Sequence, residues 1–389
     1  MEEEVRKKSS FERNPKKTLV IIAVTLFLVI DFTTAFVLKA LDLFTPAYMT
    51  AGQHEAVYRR PHPVFHHTLA RNIEYDHAVW GTEVYTIRTN SLGFKDERVR
   101  EVALEAKQPR IIITGDSFTE GLGLEFKDTF VGHISNYYKK RDVEVLNAGL
   151  LSYSPEIHLT KTRYFLEAEG LEFDHLVVFI DLSDMEDEAM GYNIDLNRPV
   201  KKITDREKTG STRPVHKEKP SLKAFLNQHT VFIAQLRNLA AYYRIARKDL
   251  RQWRRSLNRP SGTWTLDEEL YEKFGRVGQD KAAQHMRMLK KLLDKYGIEL
   301  TVVVYPWPDQ IYRKDLDSIH VKFWRRWTKS NGVGFVNLFP DFINNKDPEE
   351  VIKTYFIRGD VHWNKLGHQY IAERFLHYFD DTEILNRKN

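Results

Sequence analysis

The 389-residue sequence predicts a three-layer α/β/α sandwich with about five parallel strands, joined to an N-terminal transmembrane helix and carrying a helical insertion. Three observations predict it. Five short Val/Ile/Leu-rich runs recur from residue 110 onward, apolar at consecutive positions rather than alternate ones. Helical patterns separate them. One apolar stretch of bilayer-spanning length precedes all five. Strands buried on both faces read in this continuous way, and strand–helix alternation is the mark of a parallel sheet.

The runs are Arg110–Thr114, Val143–Asn147, His175–Asp181, Glu299–Tyr305 and Gly334–Leu338. Helices are expected over Thr129–Lys140, after a cap at Asp128, and over Pro155–Glu169, which opens with proline and stops at Gly170. Three more are expected over Gln279–Tyr296, 315–330 and 364–379. Residues 39–100 read as an irregular lead-in, with a strand at Val84–Asn90 and a turn at Asn90–Phe94. Residues 101–389 form the expected α/β domain, and 190–275 interrupts its alternation as an insertion. There Lys201–Pro220 is polar and proline-punctuated and reads as a loop. Ser221–Leu257 follows a long helical pattern that turns basic at Arg244, Arg247, Lys248, Arg251, Arg254 and Arg255. Such a face is either solvated or in contact with lipid headgroups or an anionic polymer.

Residues 1–17 are a charged tail, and Thr18–Leu38 is then long enough to cross a bilayer. Arg6, Lys7, Lys8, Arg13, Lys16 and Lys17 precede the span, and only Lys39 follows closely. That asymmetry predicts a cytoplasmic N-terminus with the rest of the chain outside the cell membrane. A cleaved signal peptide is the competing reading; the lack of a clear small-x-small site favours an uncleaved anchor. Asp31 is costly in hydrocarbon and is expected near the outer interface rather than against a partner helix.

Composition narrows the function. Lys and Arg number 59 against 54 Asp and Glu, too small an excess to imply a nucleic-acid partner. There is no cysteine, which excludes disulfides, thiol nucleophiles and thiolate metal sites. His62, His66 and His67 have no carboxylate cluster at ligand spacing beside them, so no metal or cofactor is expected. Phosphate-loop, His-Glu-x-x-His and dinucleotide fingerprints are absent.

Ligands of parallel sheets bind beyond the carboxyl ends of the strands. Thr114-Gly115-Asp116-Ser117, Asn147-Ala148-Gly149 and Asp181-Leu182-Ser183-Asp184 all fall there. A serine hydroxyl needs a base to become a nucleophile. His362 can supply it, and Asp360, two residues earlier, can hold the imidazole in the right tautomer. Backbone N–H groups of Ser117 and Gly149 could then receive an oxyanion. Each piece alone has an ordinary reading: a turn serine, a capping Asp before the helix at Asn364, a glycine ending a strand. Tyr305 and Trp307 either stack on a sugar ring or only pack their loop. The acids from Asp181 to Glu188 read as a solvated loop.

Gly115-Asp116-Ser117 with Thr119 and Gly121, then Asn147-Ala148-Gly149, then Asp360-x-His362, resembles the SGNH (GDSL-type) hydrolase superfamily over roughly residues 85–380, insertion aside. The resemblance implies Ser117 as nucleophile, His362 as base and Gly149 as an oxyanion donor. The chain departs from the family pattern twice. The family's acid usually stands three residues before the histidine, where this chain has Gly359. The Asp-x-His spacing is similar to the cell-surface branch that includes alginate O-acetyltransferases. Ser183 stands where the family offers an asparagine as a further oxyanion donor. The resemblance implies a serine-dependent ester hydrolase or O-acetyltransferase acting on an acylated carbohydrate of a cell-surface or exported polysaccharide. A transferase would need a polysaccharide-synthesis or acyl-supply membrane protein as partner. The alternative is a catalytically inactive binding or assembly component of a polysaccharide export system.

Overall fold

The computed structural model describes residues 10–41, 51–81, 83–192, 194–196, 200, 229–246, 252–344 and 347–379. The expected loop at Lys201–Pro220 and the start of the helical pattern at Ser221 lie outside them. The chain divides into two compact units, residues 1–54 with 216–247, and 55–215 with 248–389.

In the first unit, Pro15–Ala40 forms a 26-residue helix, long and apolar enough to cross a membrane. At 1.5 Å per residue it measures about 39 Å. Proline in its first turn forfeits no intrahelical bond, because the N–H groups there have no helical acceptor. Asp31 lies on this helix, in its second half. It is fully buried and accepts the backbone N–H groups of Val231 (2.6 Å), Phe232 (2.8 Å) and Ile233 (2.9 Å). Of the two readings of Asp31, these bonds match the one that sets it against a partner helix. Its partner is the N-terminus of the insertion helix Phe232–Ala246, whose first N–H groups need outside acceptors. The described part of the long pattern over 221–257 is this helix and a separate 3₁₀ turn at Gln252–Ser256.

The second unit begins with two antiparallel hairpins, β1 (Arg59–His62) with β2 (His66–Leu69), and β3 (Glu74–Trp80) with β4 (Glu83–Arg88). The strand expected at Val84–Asn90 is β4, and the described part of the lead-in holds three further short strands. A register shift between Tyr75 and Ala78 breaks the two-residue alternation that would have marked β3 in the sequence.

The central sheet contains β5 (Arg110–Thr114), β6 (Glu144–Asn147), β7 (His175–Ile180), β8 (Glu299–Val304) and β9 (Gly334–Asn337), all parallel, in the order β6-β5-β7-β8-β9. The expected five-stranded parallel sheet is present, each strand within a residue of its expected bounds. Every residue of β5 and β7 is buried. Burying Ile111, Ile112 and Ile113 contributes about 1.5–3 kcal/mol each. Phe130–Lys139 packs on Lys365–Tyr378, and Arg276–Tyr296 packs on Pro155–Arg163 and Asp184–Met190, so helices cover both faces. Register pairs Ile113 with Asn147 and Thr114 with Val178, which sets the ends of β5, β6 and β7 side by side.

Local details differ from expectation where side chains compete for N–H groups. Thr129, not Asp128, caps Phe130–Lys139, its hydroxyl accepting the Gly132 N–H at 3.0 Å. The helix from Pro155 turns π-helical over Tyr164–Glu169 before stopping at Gly170. The acidic stretch is not a solvated loop: Asp184–Met190 is helical, and Asp181, Asp184 and Glu188 are buried. Glu188 is satisfied by Ser154 Oγ (2.7 Å), Glu156 N–H (2.6 Å) and His285 Nδ1 (2.7 Å).

Candidate active site

Where β5 ends, the backbone turns sharply into one helical turn, Ser117–Glu120. A Cβ added at Gly115 would lie 2.2 Å from Thr119 Oγ1 and 2.9 Å from the Phe179 carbonyl oxygen, so the turn requires glycine there. Asp116 caps it by accepting the Phe118 N–H at 3.0 Å. Ser117 is thus the first residue of the turn, 6% exposed, with its hydroxyl 2.8 Å from His362 Nε2.

His362 sits in a loop closed by the antiparallel bridge between Phe356 and Trp363. The Ile357 N–H donates to the His362 carbonyl (2.8 Å), and the Asp360 N–H donates to that of Ile357 (2.9 Å). Asp360 Oδ1 lies 2.6 Å from His362 Nδ1 and also accepts the His362 N–H at 3.2 Å. Asp360 is not the helix cap; Asn364 is, accepting the Gly367 N–H at 3.0 Å. A carboxylate on Nδ1 selects the tautomer whose Nε2 accepts the serine proton. Burial alone would raise the Asp360 carboxyl, but its hydrogen bond to His362 and the attraction between the two hold it down to about 2. The rings of Phe118 (4.7 Å) and Trp80 (5.1 Å, edge-on) flank the imidazole. Ser117, Asp360 and His362 are therefore brought together in one line of hydrogen bonds.

The other expected donors are placed differently. The Gly149 N–H donates to Asn147 Oδ1 (3.0 Å), while Asn147 Nδ2 donates to the Thr119 carbonyl (2.8 Å). The Ser183 hydroxyl and N–H both donate to Asp181 Oδ1, at 2.8 and 2.5 Å. Gly149 and Ser183 thus direct their donors into the protein, correcting the expectation that both face a developing oxyanion. The Ser117 N–H has no acceptor among the described residues. Tyr305 and Trp307 are buried rather than open to a sugar ring. Tyr305 donates its hydroxyl to Asp181 Oδ2 (2.9 Å) and Asp116 Oδ1 (3.2 Å), and Trp307 Nε1 donates to Asp181 Oδ2 (2.9 Å). This corrects the substrate-stacking reading; both rings serve carboxyl groups behind the serine.

Those carboxyl groups escaped sequence reasoning as a unit. Ligand-capable oxygens of Asp116, Asp181 and Asp184 lie within 4.8 Å of one another, the one described group whose geometry could hold a metal ion. Burial, then the charge of Asp181, push Asp116 and Asp184 well above the usual carboxylate range. Retained protons let crowded buried carboxyls coexist. A signal was available: Asp116 lies two residues past β5 and Asp181 one past β7, on adjacent strands.

The lead-in also builds the site. Lys95 Nζ, buried, donates to the carbonyls of Gly121 (2.9 Å) and Leu124 (2.6 Å), and burial pulls it down to about 8. Arg59 grips Glu120 with two bonds, 3.0 and 2.8 Å. His67 Nε2 lies 2.7 Å from the Leu151 carbonyl, and His62 Nδ1 accepts the N–H groups of Val64 and Phe65 at 3.3 Å. Burial drives His62 down to about 2 and His67 to about 3, as suits neutral packing histidines. A cavity of about 730 Å³ opens at the amino ends of the strands, lined by Pro109, Gly170 and Ile298, away from Ser117.

No protein-family model matches this sequence, and no curated protein matches it significantly. Solved structures similar to it include a psychrotrophic esterase, EstA, from Pseudoalteromonas sp. (12% identity, 70% of this chain and 96% of the other, TM-score 0.38). Another is the acetylxylan esterase Axe2 of Geobacillus stearothermophilus (12%, 72% and 98%, 0.37). A third is LAE5, an α/β hydrolase enzyme from the metagenome of Lake Arreo (15%, 71% and 96%, 0.35). At these TM-scores the likenesses decide nothing about substrate or mechanism.

Proposed function

We propose that the chain is a membrane-anchored serine enzyme that cleaves or transfers O-acyl groups, specifically O-acetyl groups of a cell-surface or exported polysaccharide. The observation that carries this reading is the line Asp360–His362–Ser117, with links of 2.6 and 2.8 Å. His362 takes the Ser117 proton as Oγ attacks the ester carbonyl, and Asp360 stabilises the imidazolium. The Ser117 N–H receives the oxyanion. His362 then protonates the leaving alcohol, and water or a sugar hydroxyl resolves the acyl-enzyme. Which acceptor enters separates hydrolase from transferase; the Asp-x-His spacing favours transfer. The apolar helix Pro15–Ala40, with basic residues before it, supports a cytoplasmic N-terminus and an extracytoplasmic catalytic unit.

The test is incubation of the detergent-solubilised chain with acetylated polysaccharide, following both free acetate and acetyl groups on a new acceptor, against Ser117→Ala. The inactive-component reading draws on one observation, the inward commitment of the Gly149 and Ser183 donors. It prevails if the folded chain neither hydrolyses a chromogenic acetyl ester nor is labelled at Ser117 by a fluorophosphonate.

A further inference from the structure

We propose that the insertion helix Phe232–Ala246 is itself embedded in the bilayer, seated on the apolar helix through Asp31, with Phe232, Leu236, Leu239 and Tyr243 against lipid acyl chains. This rests on the membrane reading of Pro15–Ala40 and extends it to a segment 200 residues away in sequence.

The position of Asp31 sets the depth. It lies nine residues before Ala40, the end of its helix, hence about 14 Å along the axis from that end. A carboxylate at that depth is costly unless it is paired. Three N–H groups at the start of the insertion helix, at 2.6 to 2.9 Å, satisfy it together with the positive end of the helix dipole. The insertion helix therefore starts inside the apolar span, not at its rim. One turn before Asp31, the ring of Phe27 stands 6.4 Å from that of Phe232, a second contact between the two helices.

The outward face completes the argument. Positions 232, 236, 239 and 243 share one face of a helix. Their exposures are 45, 60, 51 and 64%. By helical spacing Arg237 falls about 130° from the centre of that stripe. The apolar helix of the same unit exposes Leu19, Ile22 and Leu26 to similar degrees. The stripe thus continues an apolar surface already assigned to lipid, and one occupant, the acyl-chain region, covers both.

The chain has no cysteine, so single cysteines report without background. The full chain is reconstituted in phosphatidylcholine–phosphatidylglycerol vesicles, freeze-thawed with a water-soluble maleimide so that both leaflets are reached. Leu236→Cys and Leu239→Cys are compared with Val24→Cys in the apolar helix and Lys329→Cys on the exposed surface of the α/β unit. Both stripe variants should react at least tenfold more slowly than Lys329→Cys. A fluorophore placed on them, in detergent before reconstitution, should be quenched by lipids carrying a mid-chain nitroxide. Asp31→Leu should release them toward the Lys329→Cys rate while Val24→Cys stays protected, and Asp31→Asn, which keeps an acceptor, should hold them. Fast reaction of the stripe with Val24→Cys protected overturns this inference alone. Protection without lipid quenching overturns it as well, since protein would then cover the stripe. Fast reaction at Val24→Cys defeats the membrane reading beneath it.

Discussion

The Asp116 carboxyl stands 3.1 Å from the Ser117 hydroxyl, the same hydroxyl that His362 reaches at 2.8 Å. A serine O–H donates one hydrogen, so these neighbours cannot both be acceptors. Ser117 can donate to only one of them at a time, and burial with the nearby Asp181 charge, which favour a neutral Asp116 carboxyl, weaken Asp116 as the acceptor competing with His362.

Asp116→Asn, a neutral isostere, should therefore keep turnover within about tenfold, whereas Asp116→Ala should cost about 1–3 kcal/mol of stability by orphaning the Phe118 N–H and losing a cap. Ester hydrolysis and urea unfolding check both. The sign of the pH effect follows from the raised carboxyl: its favourable contribution is complete below about pH 4 and is lost as pH rises toward the elevated value. The Asn variant should gain stability on wild type over that range. An Asn variant as inactive as Ser117→Ala would show that the ionised form is needed.

Asp360→Asn should lower kcat by roughly 10⁴ with folding intact, because the amide favours the wrong imidazole tautomer. The carboxyl is held at about 2 against an ordinary 3.8. It contributes about 2 kcal/mol above pH 4, lost as pH falls toward 2. The stability gap between wild type and Asp360→Asn should close over that interval in urea titrations at stepped pH. Near-normal turnover would move the acid role elsewhere.

Gly149→Ala would set a Cβ 2.5 Å from Thr119 Cγ2 and 2.6 Å from Thr119 Cβ. Overpacking of this kind costs about 1–3 kcal/mol. Thr119 belongs to the turn that carries Ser117, so the strain should appear twice, as a lower Tm and as slower single-turnover acylation. Loss of stability with acylation unchanged would uncouple Thr119 from the serine.

Trp80→Ala should reduce kcat roughly ten- to a hundredfold by removing the ring beside His362, with Trp80→Phe restoring most of it. Steady-state kinetics on a chromogenic ester decides this; an unaffected rate would make the β3–β4 hairpin a support for folding only.

Parallel strands buried on both faces are legible because no solvent face interrupts them, so β5 and β7 stand out as unbroken apolar runs. Ser117, Asp360 and His362 are legible because their spacing within short motifs reflects local backbone geometry. What stayed hidden joins distant segments without local periodicity. Arg59 meets Glu120 across 61 residues, and Asp31 meets Val231 across 200. Gly149 shows a different limit. A strand-ending glycine is visible in sequence, but the direction of its N–H depends on the Asn147 side chain, which composition does not reveal.

The 245-residue separation of Ser117 and His362 also bears on how the proposed activity would arise during synthesis. The serine turn and its strand emerge early, whereas the imidazole arrives only after β8 and β9 have been made. Closing so long a loop is entropically slow, and contacts of this kind form late. On the proposed mechanism a nascent chain therefore carries an inert serine until residue 362 has left the ribosome and the helix Lys365–Tyr378 has docked. Acylation of Ser117 by a fluorophosphonate would then be a clock for the maturation of the α/β unit, silent on every earlier intermediate.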